Sequence, residues 1–132
     1  MRIHLASFMQ PNNFGHGKVI SITHGTKPNN IDVMGIFEPL APPAELVSQY
    51  NSIRTSDPDN AGKLFVNTYT EQLKSFFETA KKDADEQKCS VIELLPFEDG
   101  DTLCSWERKE YTNYRKILAP FLTEAGYDVE LA

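Results

Sequence analysis

Thr102-Leu-Cys-Ser-Trp-Glu-Arg-Lys-Glu-Tyr-Thr-Asn-Tyr-Arg-Lys-Ile-Leu118 is the stretch on which the reading of this chain turns. Leu103 and Cys104 begin it as a short buried strand. A polar turn follows, and from about Thr112 the spacing of Ile117, Leu118, Phe121 and Leu122 is that of a helix with one apolar face. Strand, turn and helix in this order expose side chains at a strand's carboxyl end and a helix's amino end, where α/β proteins place their sites. Pro120 is expected to kink the helix. Gly126 stands where a helix ends, and Tyr127 to Leu131 reads as a closing strand. Thr102 to Leu131 is thus a βαβ unit, whose two strands should run parallel with a right-handed crossover.

Working back toward the amino terminus, Arg2 to Phe8 reads as a first strand that delivers Ser7 into a loop of turn formers, Pro11, Asn12, Asn13, Gly15 and Gly17. Lys18 to Thr23 is a second strand, rich in β-branched residues. His24 to Asn30 is a flexible connection carrying Lys27. Gly17 and Gly25 make no phosphate loop, since the Gly-Lys-Ser/Thr ending is absent. Pro39, Pro42 and Pro43 hold the chain extended before a helix over Ala44 to Ile53. Asp59 or Asn60 is the expected cap of a long second helix, in which Leu64, Phe65, Tyr69, Leu73, Phe76 and Phe77 form the inward stripe. Lys81 to Lys88 reads as a solvated helical face or joint. Cys89 to Leu95 fits helix or strand, with helix preferred, and Pro96 and the turn Glu98 to Asp101 end it.

The 132 residues suffice for one domain with its own core. A net charge of −6 argues against duplex nucleic acid, because no basic excess exists to displace counterions. A local pocket for a small phosphate-bearing ligand remains compatible with that charge, as does an acidic surface aimed at a basic protein partner. Cys89 and Cys104 sit in apolar surroundings and read as reduced, buried thiols. With His4, His16 and His24 they make no zinc spacing, so neither metal nor cofactor is expected. No stretch has the length of a membrane span, and the apolar run at the amino terminus is too short for a signal peptide. Cytoplasm is the default location.

The 102–118 stretch resembles the signature of the family known as domain of unknown function 488, in its small variety. That signature is two aliphatics, Cys, an aromatic, Glu, a polar turn, then Cys-His-Arg leading an amphipathic helix. Leu103 and Cys104 stand at the aliphatics, Ser105 at the first Cys, Trp106 at the aromatic and Glu107 at the Glu. Asn113 and Tyr114 stand at the second Cys and the His, and Arg115 at the Arg. Ala6-Ser7-Phe8, Val19 to Ile22 followed by Pro28, Leu40-Ala-Pro42 and Gly126 to Glu130 are similar to further family features in order. The chain is thus similar to a divergent member. Ser105, Asn113 and Tyr114 remove the thiols and imidazole, so any thiolate, redox or metal chemistry of relatives is not carried over.

Glu107 and Arg115 survive as the acid–base pair and are the candidate catalytic residues. Arg115 would hold a phosphate or carboxylate in fork geometry. Glu107 would accept hydrogen bonds from a ribose, base or amine, or act as general base. The competing reading is an ion pair that only closes the strand–helix joint. Ser7, Ser105, Trp106, Asn113 and Tyr114 are the candidate ligand contacts, with Trp106 either a core residue or the wall of a base-stacking pocket. Tyr111 and Tyr114 read as rim positions.

The expectation is a single α/β domain with a Rossmann-like, mostly parallel sheet of about four strands flanked by helices, the Leu103 strand being central. Two function classes follow. One is a nucleotide or nucleobase-like ligand site at the joint 102–118, with or without hydrolysis. The other is a non-catalytic binding or inhibitory protein acting on a partner through an acidic surface, as a virus or mobile element would use. Residue types alone leave catalysis, ligand and oligomeric state open.

Overall fold

The computed structural model describes residues 1–24, 28–106 and 114–131. Four strands, β1 (Arg2–Ser7), β2 (Val19–Ser21), β3 (Thr102–Ser105) and β4 (Asp128–Leu131), form one sheet in the order β2-β3-β1-β4. Every pairing in it is parallel. β3 and β1 are the inner pair, and β1 lies between the two strands of the carboxyl-terminal βαβ unit. The helices are α1 (Ala44–Ile53), α2 (Pro58–Gln87), α3 (Val91–Leu94) and α4 (Tyr114–Ala125). The protein is a small α/β domain.

Period-two alternation sorts the sheet into two faces. The register aligns Ile20, Leu103 and Leu5 in one row. Together with Ile3 and Ile22 they pack on Leu46, Phe65, Tyr69, Leu73, Leu118 and Leu122, so all four helices gather on this face. The opposite face carries Ala6, Phe8 and Cys104, covered by Phe14, Ile31 and Val33 from irregular segments.

Asp57, not Asp59 or Asn60, caps α2 by accepting from the Asn60 backbone N–H at 3.3 Å. The reason is Pro58, whose fixed φ and missing N–H suit the first helical position and push the cap one residue earlier. Thirty residues give α2 a length of about 45 Å. Its buried side is Ala61, Phe65, Tyr69, Leu73, Ala80 and Ala84, leaving the lysines and acids of 81–88 outward. α3 is short and opens on a reciprocal cap between Ser90 and Glu93. α4 runs on through Pro120 to Ala125, and Gly126 at φ +112° releases the chain into β4. Thr112 and Asn113, expected to cap α4, lie outside the described residues.

Candidate functional site at the carboxyl ends of β1 and β3

Along the helix-packed face, the row Ile20–Leu103–Leu5 is followed by Ile22, Ser105 and Ser7, so the column turns from apolar to polar at the strand ends. Ser7 and Ser105 are in register, and the Phe8 N–H donates to the Ser105 carbonyl at 2.9 Å. Ile22 joins the same row, because its N–H donates to the Cys104 carbonyl at 2.9 Å. Ser7 closes its strand with a local turn, its Oγ accepting from the Met9 N–H at 3.1 Å. Ser21 closes β2 the same way, accepting from the Thr23 N–H at 3.2 Å.

The chain leaving β1 crosses to the face that Phe14 covers, whereas the chain leaving β3 returns as α4 on the helix-packed face. Adjacent strands whose continuations part to opposite faces leave a crevice at their carboxyl ends, which is where open parallel sheets bind ligands. Here those strands are β1 and β3, and the residues at their ends are Ser7 and Ser105.

Tyr114 sets the amino end of α4 against this row. It is buried, not at a rim, and its hydroxyl donates to the Ile22 carbonyl at 2.9 Å. Its ring meets Tyr69 edge-on at 5.3 Å and Phe65 at 6.0 Å. Sequence spacing placed Tyr114 at the crevice without signalling this, because the bond joins residues 92 positions apart. Arg115 follows directly and is only 6% exposed, together with Ser7 (4%) and Ser105 (0%). Ser7 and Ser105 stand at one end of the apolar column, and burying a hydroxyl or a guanidinium is costly unless it is satisfied.

Trp106 emerges on the other face, packed on Phe8 with centroids 5.2 Å apart and planes at 47°. It is neither core nor fully solvated, at 40% exposure. At the carboxyl ends of β1 and β3 the two serines thus stand on the helix-packed face and the indole on the other. Phe8 and the Ile22 carbonyl are site components that sequence reading missed. Only strand register reveals them, although the aromatic that ends Ala6-Ser7-Phe8 was a partial signal. Glu107 and Asn113 lie outside the described residues, as do Tyr111 and Lys27.

A second polar cluster sits at the opposite end of the sheet. Asp101, 1% exposed, accepts from the Lys18 N–H through Oδ1 and from the Glu98 N–H through Oδ2, both at 2.9 Å. A Cβ on Gly17 would stand 2.5 Å from Oδ1, so the close approach requires glycine there. Around it, Lys18 pairs with Glu98 at 3.1 Å, and Arg2 pairs with Asp128 at 2.9 Å and Glu130 at 3.4 Å. The hydrogen bond to Glu98 raises the Lys18 ammonium above its usual range, and the Arg2 backbone N–H holds the Asp99 carboxyl below its own. This is a structural knot that ties the Gly17 and Glu98 loops to β3. Among the described residues no three His, Cys, Asp or Glu side chains are grouped to hold a metal, and Cys89 and Cys104 form no disulfide. No helix among them is long and apolar enough to cross a membrane.

Comparison with protein-family models, with curated proteins and with solved structures returned no match to this chain.

Proposed function

We propose that the protein binds a small anionic, nucleotide- or nucleobase-like ligand at the crevice between β1 and β3. The observation that carries this reading is the in-register pair Ser7 and Ser105 at the point where the chain parts to opposite faces, with the buried Arg115 next in sequence to Tyr114, whose hydroxyl bonds to the Ile22 carbonyl of the same row. Hydroxyls and a guanidinium form a donor-rich set suited to an oxyanion. Trp106 would take the planar ring from the loop side. Glu107, eight residues before Arg115 in sequence, would serve as hydrogen-bond acceptor or general base. The sequence resemblance to the domain of unknown function 488 family, in which Arg115 stands at the family's Arg, supports the location and supports no reaction.

Calorimetric titration with inorganic phosphate and with nucleoside monophosphates tests the reading. Arg115→Lys keeps the charge but loses the fork, and should weaken binding about tenfold or more. An Arg115→Lys protein that folds and binds as tightly as the parent refutes the assignment of Arg115.

The second reading is a non-catalytic protein whose acidic surface meets a basic partner. It is favoured by the gathering of Glu98, Asp99, Asp128 and Glu130, all exposed, around the amino end of the sheet. Charge reversal at Asp128 and Glu130 that abolishes capture of a basic protein, while phosphate binding is absent, would select this reading.

A further inference from the structure

We propose that Tyr114 is the positioning residue of the anion site, holding the Arg115 guanidinium in place through the bond from its hydroxyl to the Ile22 carbonyl. This rests on the proposed ligand site and assigns the part of the fold that sets its geometry. Tyr114 and Arg115 are consecutive residues of the first described turn of α4, so a tie at Tyr114 sets the backbone of Arg115. The tie here is tertiary. The Tyr114 ring is wedged against Phe65 and Tyr69, and its hydroxyl reaches across to β2 at 2.9 Å.

Ile22 stands in the same row as Ser105 and Ser7. The bond therefore fixes the rotation and height of α4 relative to the very strand ends that border the crevice. Successive helical residues are turned by about 100° and share one rigid backbone, so slack at Tyr114 passes directly to Arg115. With a helix radius of about 2.3 Å and an extended arginine side chain of about 6 Å, a rotation of roughly 10° moves the guanidinium by about 1.5 Å. Misplacement on that scale is enough to spoil a fork on an oxyanion.

A matched pair of variants separates positioning from simple support. Tyr114→Phe keeps the ring and removes the bond to Ile22. Tyr69→Phe removes an equally buried bond, from Tyr69 to the Leu40 carbonyl, without touching the bond that ties α4 to β2. Both should lower the melting temperature by similar amounts. Only Tyr114→Phe should weaken inorganic phosphate binding, by about fivefold or more, and speed hydrogen exchange in the first turn of α4. Equal phosphate affinity in Tyr114→Phe and the parent, or equal losses in both variants, overturns the positioning role while leaving the ligand site standing. A parent protein that binds neither phosphate nor a nucleoside monophosphate overturns the site, and the positioning role falls with it.

Discussion

Asp101→Asn replaces one carboxylate oxygen with an amide nitrogen and changes almost nothing else in volume, which makes it a sharp probe of the knot at the amino end of the sheet. Asp101 uses both oxygens, one for the Lys18 N–H and one for the Glu98 N–H, each at 2.9 Å, with the Lys18 ammonium 3.7 Å from Oδ2. An asparagine has one acceptor oxygen, so one backbone N–H must face an NH2 group that can only donate. Leaving a buried donor unsatisfied costs about 1–3 kcal/mol, and bonds to a charged acceptor are the stronger kind. Asp101→Asn should therefore cost about 2–3 kcal/mol. Asp101→Ala, which abandons both donors, should cost about 3–5 kcal/mol. For a domain of this length the asparagine change corresponds to a fall in Tm of roughly 6–12 °C. Urea unfolding followed by circular dichroism gives the number, with an unchanged m value showing that the unfolded state is not the cause. An asparagine variant within about 0.5 kcal/mol of the parent would refute the claim that both oxygens are required.

Two further predictions concern the helix-packed face. The Tyr127 hydroxyl is buried with no hydrogen-bond partner among the described residues, and desolvation pushes its pKa up to about 12. Because the folded pKa lies above the unfolded value near 10, the folded protein retains a proton that the unfolded chain gives up. This group's contribution is thus intact below about pH 10 and is lost as pH rises toward 12. Tyr127→Phe should leave neutral-pH stability unchanged or raised and flatten that alkaline loss, as read by urea unfolding across pH 9–12 (roughly the span of the shift); an unaltered profile would contradict the assignment. Ser90→Ala removes one half of the reciprocal cap with Glu93 and should cost about 1 kcal/mol by the same assay, and a neutral result would show that α3 is held by packing alone.

Most of the element order was legible in the sequence because it rests on local rules. Alternating Ile3 and Leu5, the β-branched run before Thr23, the stripe of Phe65, Tyr69 and Leu73, and Gly126 after the last helix each commit their segments without reference to distant residues. Where two local signals competed, the outcome followed stereochemistry. Asp57 rather than Asp59 caps α2 because Pro58 claims the first helical position. Trp106 was readable as core or pocket wall, and the structure packs it on Phe8 with 40% exposure, outside the main core.

For the candidate site the residues offered a place in the chain and not a set of contacts. That β3 ends in polar residues ahead of a helix follows from the residues of 102–106 and 114–118 alone. That Ser105 faces Ser7, that Ile22 shares their row, and that Tyr114 spends its hydroxyl on Ile22 depend on strand order and register, which no local pattern encodes. The same holds for Asp101, which reads in sequence as one more turn residue and becomes a buried double acceptor only once Gly17 is brought beside it. The physical reason is range. Propensity, periodicity and capping act over a few residues and are written in the sequence. Parallel pairing joins residues about a hundred positions apart, through contacts that exist only after the helices have buried one face of the sheet.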